Sequence, residues 1–298
     1  MPRPDGDLAL FEAERPRLLR LGYRMLGSVA EADDVVQDAW LRWARAETAV
    51  DTPAAYLTRI VTRLCLDRMK SARARRETYV GAWLPEPLVG SAEPVEDDAD
   101  ELTLTLMLAL ERLSPLERAA FLLHDVFGVA LGEVAGTLDR DPAAVRQLAV
   151  RARKHVHAAR PRYPVGRAQA DRIAQAFFAA SRDGDLAALT SMLADDVVIR
   201  SDGGGKVVAF RNPIRGIDRV LRLYAGLKKK FAGQPPVQVV RSITIDGLPG
   251  YIGYDRGDIL QTTALEIRDG RIAAIYIVRN PDKLRHVAAL IGDLGFRP

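Results

Sequence analysis

The sequence predicts a multidomain protein: two all-α helical domains followed by an α+β cone. Three observations predict it. Up to about Arg160 the apolar residues recur only at helical spacing, and a proline-, glycine- and acid-rich break at Thr78 to Asp100 divides this half in two. Within the second half of it, Ala109 to His157 has the grammar of a helix-turn-helix. Beyond about Gln169, helices give way to β-branched runs punctuated by Asp-Gly pairs. A chain of 298 residues is long enough for two or three cores. The expected boundaries are 1–77 and 107–162 for the helical domains, 78–106 for the linker and 168–298 for the cone.

Charge alone decides little. The 43 Lys and Arg against 39 Asp and Glu leave a formal net charge of +4, so the argument rests on where individual arginines sit. A lone cysteine, Cys65, lies in a helical apolar pattern; it excludes an internal disulfide framework and reads as core filling in a reducing cytosol. The first residues carry no leader pattern and no stretch reaches membrane-spanning length. The expectation is therefore a soluble, cytoplasmic protein with no membrane partner.

In the first helix, Phe11, Arg15, Leu18, Leu19 and Tyr23 define an amphipathic pattern that Gly27-Ser28 ends. The next, EADDVVQDAWLRWARA, puts Val35, Val36, Ala39, Trp40 and Trp43 in one stripe, leaving Asp34, Gln37, Asp38 and Leu41 on an adjacent surface. Such a mixed acidic and apolar face suits a basic helical partner, although a solvated face reads the same way. After a loop at Glu47 to Pro53, a long helix turns Leu57, Ile60, Val61, Leu64 and Cys65 inward and Tyr56, Arg59, Arg63 and Lys70 outward. Cations with one ring among them suit a phosphate strand with an unstacked base.

The linker has two characters. SAEPVEDDAD reads as solvated spacer, whereas WLPEPLV holds Trp83, Leu84, Leu88 and Val89 too close together to stay uncovered, so it is expected to dock on a surface. In the helix-turn-helix, a helix begins after Ser114, a short one spans Leu131 to Leu138, Asp139-Arg140 turns the chain, and Asp141-Pro142 starts the last helix. That helix packs through Val145, Leu148, Ala149, Ala152 and Val156. Its other side, with Ala143, Arg146, Gln147, Arg151 and Lys154, is free to meet DNA or merely to be solvated.

Three motifs in this order resemble the extracytoplasmic-function sigma factors. EADDVVQDAWLRW is similar to the core-binding helix of region 2, PAAYLTRIVTRLCLDRMKSARAR to the melting and −10 segment, and LSPLERAAFLLHDVFGVALGEVAGTLDRDPAAVRQLAVRARKHV to region 4. The resemblance implies an alternative sigma factor, not an enzyme, that binds core RNA polymerase and directs promoter-specific initiation. Asp34, Gln37, Asp38 and Leu41 would dock on the clamp helices of the largest subunit, and region 4 near the flap. It also implies that Tyr56, Arg59, Arg63 and Lys70 lie on the −10 strand, with Tyr56 where relatives often have tryptophan. At the −35 element, Arg146, Gln147 and Arg151 would meet base edges and Arg140 and Lys154 phosphates. The alanines Ala143 and Ala144 would touch a thymine methyl or give room.

The last third reads helix, turn at Asp183-Gly184, helix, strand, a further helix in FRNPIRGIDRVLRLYAGL, and then strands with hairpins at Asp246-Gly247 and Asp269-Gly270. Helices followed by a curved antiparallel sheet resemble the SnoaL-like branch of the NTF2-like fold. Sigma factors with such a fused domain resemble this chain in three motifs. These are WLPEP (Trp83, Leu84 and Pro85), DGGGK (Asp202 and Lys206) and NPDKL (Asn280, Pro281, Asp282 and Lys283). A bland account of NPDKL is an N-cap, a proline at N1 and an acid in the first turn; DGGGK lacks the spacing of a phosphate loop. The implied role of the cone is modulation in cis by packing on WLPEP.

Two other function classes fit parts of the chain. An enzyme on this cone needs a base and an oxyanion donor in an apolar cavity, but His286 lies in a terminal helix and Asp202, Asp246 and Asp258 all sit beside glycines. Catalytic residues, metal and cofactor are therefore expected to be none, with a small ligand in the cone left open. A helix-turn-helix repressor would bind promoter duplex without polymerase. Promoter sequence, inducing signal and any separate anti-sigma partner are not encoded legibly.

Overall fold

The computed structural model describes residues 5–45, 50, 52–77, 79–90, 104–157, 166–234, 237–255 and 258–293. Most of the Glu47 to Pro53 loop and all of SAEPVEDDAD lie outside them. The chain divides into two compact units, Met1–Thr78 with Leu106–Arg160 and Tyr79–Thr105 with Pro161–Pro298. Among the described residues no helix is long and apolar enough to cross a membrane.

The first unit is helical. Helices α1 (Asp5–Leu26), α2 (Val29–Ala44) and α3 (Pro53–Glu77) pack around Leu18, Met25, Val35, Trp43, Leu57 and Val61, all of them buried. Ser28 caps α2 by accepting from the Glu31 amide, which is why the chain turns at Gly27. Cys65 is buried in this core, and desolvation pushes its thiol far above the ordinary range, so it is an inert filler. Next come α4 (Leu104–Leu110), α5 (Pro115–Phe121), a π-helical turn (Leu122–Val126), α6 (Leu131–Leu138) and α7 (Pro142–His157). A capping box between Ser114 and Glu117 starts α5, and Asp139, left-handed at φ 53°, closes α6. The Asp141 carboxylate accepts from the Ala143 amide to open α7.

The second unit is the expected α+β cone. Helices α8 (Arg167–Asp183) and α9 (Leu186–Met192) lead into β2 (Leu193–Asp202). Then follow β3 (Ile214–Arg215), α10 (Ile217–Lys230), β4 (Gln238–Ile245), β5 (Leu248–Asp255), β6 (Ile259–Arg268) and β7 (Arg271–Val278). A 3₁₀ turn (Pro281–Lys283) and α11 (Arg285–Asp293) complete the unit. The seven-stranded sheet runs β1-β4-β5-β6-β7-β2-β3, where β1 (Val89–Gly90) comes from the linker. Phe177, Leu189, Val197, Val220, Leu265 and Ile275 form the core between helices and sheet.

Two expectations are corrected. The sheet is mixed, because β2 runs parallel to β7, with Ile199 opposite Ile275. A hairpin forces its two strands antiparallel, but β2 and β7 are joined through the whole intervening meander, so their relative direction is free. The stretch expected as one helix from Phe210 instead forms β3 on the edge of β2, and helix begins only after Gly216 at φ 86°.

Candidate linker cradle and polymerase and DNA faces

The linker is gripped from inside the second unit. Its centre is Asp202, the last residue of β2 and fully buried. One carboxylate oxygen accepts from the Tyr79 hydroxyl at 2.5 Å and the Gly204 amide at 3.0 Å. The other accepts from the Leu84 amide at 2.9 Å and Lys283 Nζ at 2.8 Å. Lys283 Nζ also donates to the Leu84 carbonyl and lies over the rings of Trp83, 4.3 Å to centroid, and Tyr79, 5.0 Å. A buried charge pair with every partner filled is a rigid clasp.

The other two motifs complete the clasp. Asn280 caps the 3₁₀ turn through the Asp282 amide while its Nδ2 donates to the Tyr79 hydroxyl at 2.9 Å. Gly204 must lack a side chain because a Cβ there would overlap the Asn280 carboxamide, and its φ of 62° suits glycine in any case. Lys206 Nζ pairs with Asp282 at 2.5 Å at the exposed rim. Pro85 is buried beside Leu84, whereas Pro281 is exposed and serves the turn rather than the contact. Burial and the Asp202 hydrogen bond push the Tyr79 phenol well above its ordinary value, so it remains a donor at neutral pH.

Four contacts in this unit were not foreseen. Asp246, in its Asp-Gly turn, is 4% exposed and holds the linker at two points. Its carboxylate and amide engage the Leu88 amide and carbonyl, and its own carbonyl accepts from the Leu104 amide at 2.8 Å. Thr105 donates to Glu266, which the Tyr276 hydroxyl also contacts, and His286 Nε2 meets the Pro87 carbonyl at 2.7 Å. Tyr79 completes the set. The only sequence signal was the density of apolar and aromatic residues in the linker, which predicts docking without naming partners. Asp202 and Asp246 thus serve the linker. The Phe177–Tyr224 and Phe178–Tyr251 ring pairs fill the space between α8, α10 and the sheet.

In the first unit, the three polar faces separate as their spacing predicts. On α2, Asp34, Gln37 and Leu41 are exposed and Asp38 is half-buried. Arg68 from α3 bridges Asp34 and Asp38, at 3.3 Å each, a contact the sequence hides because it joins two helices across 34 and 30 residues. On α3, Arg59, Arg63 and Lys70 are exposed and Tyr56 half-buried. Arg63 Nε reaches the Thr137 carbonyl at 3.4 Å, Arg59 approaches Gly136, and Lys70 pairs with Asp67 at 2.9 Å. A cleft of about 620 Å³ lies here, bounded by Arg63, Lys70, Ser114, Asp139 and Arg140.

Models of sigma-70 region 2 and sigma-70 region 4 match residues 10–75 and 103–156. The chain is 39% identical over 291 residues to the ECF RNA polymerase sigma factor SigJ of Mycobacterium tuberculosis, 93% of each chain being covered. The chain belongs to the extracytoplasmic-function RNA polymerase sigma factors. The probable ECF sigma factor SigI of the same species is 32% identical over 98% of this chain and 99% of its own. The crystal structure of M. tuberculosis SigJ matches with a TM-score of 0.75 and 36% identity, over 93% of this chain and 98% of that one. As a member of this family it is an initiation factor rather than an enzyme: with core RNA polymerase it directs promoter-specific transcription.

Besides Arg63 and Thr137, buried and aromatic contacts join regions 2 and 4 of this sigma factor. Arg118, 1% exposed, donates to the Met25 carbonyl of α1 at 2.6 Å, to the Leu110 carbonyl and to Glu111. The guanidinium groups of Arg17 and Arg24 each lie over the Phe127 ring, 5.5 and 5.3 Å from its centroid. On α7, Arg146, Gln147 and Lys154 are exposed, but Arg151 is drawn back to Glu117 at 2.8 Å. Arg140 donates to the Asp139 carbonyl at the turn. Burial raises the Glu117 carboxyl, yet hydrogen bonds from Arg151 and Ser114 outweigh it and hold the group below the ordinary range.

Proposed function

We propose that this sigma factor divides its work among four surfaces. Asp34, Gln37, Asp38 and Leu41 dock on the largest-subunit clamp helices, with Arg68 holding the two carboxylates in place. Tyr56, Arg59, Arg63 and Lys70 receive the opened −10 strand. Arg146 and Gln147 meet base edges of the −35 element from α7, Arg140 and Lys154 meet phosphates, and region 4 sits near the flap. Arg151, paired with Glu117, acts as a strut for α7 and joins the DNA contacts only by leaving that pair.

The cone modulates this activity in cis, in the cytoplasm, by holding the linker that connects regions 2 and 4. The observation that carries the reading is the Asp202–Lys283 clasp on Trp83 and Leu84. A linker fixed at Leu84, Leu88 and Leu104 sets how much free chain the two DNA-binding regions share. No small ligand is required, since the clasp is made of the chain's own groups.

Promoter-dependent transcription by full-length protein with core polymerase tests these assignments. Asp38→Ala is expected to weaken core association while leaving promoter preference unchanged, and Arg146→Ala to do the reverse. Opening the clasp with Asp202→Ala is expected to change initiation about fivefold or more at constant core affinity. Unchanged initiation would remove the cone from the regulatory account.

A further inference from the structure

The open face of α7 has a member that its charge pattern conceals. Val150 is 55% exposed, whereas Val145, Leu148, Ala149, Ala152 and Val156 on the opposite side are buried. It stands four residues after Arg146, three after Gln147 and four before Lys154, so all four share one stripe. Two nearby cations are turned away from it: Arg151 toward Glu117 and Arg153 toward Asp125, at 2.8 and 2.5 Å. No acidic residue occurs in α7. What faces outward from its middle is therefore one guanidinium, one carboxamide, one ammonium and an isopropyl group between them.

Folding gains nothing from that isopropyl group. A β-branched side chain at an exposed helical position weakens the helix relative to alanine, and more than half of this one remains open. A major groove offers it a partner. Among the base edges only thymine presents an apolar group there, the 5-methyl, and side chains flanking a bidentate reader are placed to touch it.

We propose that Val150 is a specificity-determining residue that packs on the 5-methyl group of a thymine in the upstream promoter element, within one or two base pairs of those met by Arg146 and Gln147. This rests on the assignment of α7 as the recognition helix. It extends the set of readers beyond the polar side chains and gives the element a required thymine where hydrogen bonding alone would accept uracil equally well.

The test uses holoenzyme reconstituted from the full chain and core polymerase. Bound duplexes are first selected from a library randomised across the upstream element. Each thymine of the selected site is then replaced singly by deoxyuridine, which removes only the methyl. One replacement is expected to weaken wild-type binding about fourfold, the factor for one methyl group returned to water. Val150→Ala is expected to bind the thymine site about that much more weakly and to lose sensitivity to the same replacement. Val150→Thr, which keeps one methyl, is expected to retain part of it.

If no replacement matters, or if Val150→Ala responds to deoxyuridine as wild type does, the proposal is overturned. It is also overturned if Val150→Ala weakens core association equally on every duplex, since the contact is then with protein. Failure of the underlying assignment looks different: Arg146→Ala and Gln147→Ala would then also leave the selected site unchanged. Alanine strengthens the helix, so the principal variant folds.

Discussion

Replacing Asp202 by alanine tests the clasp most directly. The substitution removes the acceptor of four donors: the Tyr79 hydroxyl, the amides of Leu84 and Gly204, and Lys283 Nζ. Lys283, 8% exposed, is left as a buried cation that has lost its carboxylate partner and keeps the Leu84 carbonyl and two rings. Breaking a buried pair from one side costs about 3–5 kcal/mol, a figure that includes the stranded charge. Spread over local opening of the linker, about 3 kcal/mol is roughly a 150-fold gain in the open population. Hydrogen exchange of a peptide spanning residues 79–90 reads this directly, because the Leu84 amide donates into the lost carboxylate. Adding Lys283→Met to Asp202→Ala removes the stranded charge and is expected to restore part of the protection. Exchange at Leu84 within about threefold of wild type in Asp202→Ala would refute the reasoning, since opening would then have changed by well under 1 kcal/mol.

Two further outcomes follow from groups that the linker and α7 use. Asp246→Gly keeps the left-handed turn, whose φ is 45°, but deletes the carboxylate that receives the Leu88 amide. It is expected to cost about 1–3 kcal/mol of local protection at Leu88, while Asp246→Asn, which suits the turn and still accepts, loses less; both are read by hydrogen exchange. Glu117 has a folded pKa below its ordinary 4.5, so its contribution is present above that value and is lost as pH falls through the depressed one. Glu117→Gln is expected to flatten the acid limb of unfolding below pH 4.5, followed by circular dichroism, and an unchanged limb would show that the Arg151 pair does not couple to stability.

The helices were legible because their signals are local. Ser114 with Glu117, Gly27-Ser28 and Asp141-Pro142 each satisfy or terminate a helix end within a turn, and the structure uses all of them. Both Asp-Gly hairpins appear for the same reason, with Asp246 and Asp269 at positive φ. What could not be read were contacts between residues far apart in sequence whose types are individually ordinary. Asp246 beside a glycine looks like turn chemistry and is turn chemistry; that it also grips Leu88 and Leu104 depends on which strand the linker pairs with. Arg68 and Arg118 belong to the same class. An arginine in a helix reads as solvated until the structure shows carboxylates at 3.3 Å or a carbonyl at 2.6 Å. The parallel β2–β7 pairing was lost for the opposite reason: hairpin rules apply only to strands a hairpin joins.

These long-range contacts bear on a single question, how far region 4 can depart from region 2. Arg118 is the costliest to undo, because its guanidinium is buried against two carbonyls and Glu111, and a buried cation that loses its acceptors must be rehydrated. The exchange with DNA is not wholly uphill. On the −10 assignment proposed above, Arg63 would give up only a long 3.4 Å bond to Thr137 to meet a phosphate strand, and a charge-assisted contact with phosphate exceeds one to a carbonyl. On the proposed assignments, the balance between this compact first unit and one opened on a promoter would turn on Arg118 and Phe127 on one side and phosphate contacts on the other. The linker clasp enters that balance through chain entropy. Leu84, Leu88 and Leu104 fixed on the cone shorten the free tether, and a shorter tether raises the effective concentration of region 4 at region 2. On this argument the Asp202–Lys283 pair acts at a distance without touching DNA or polymerase, by changing how often the two readers separate.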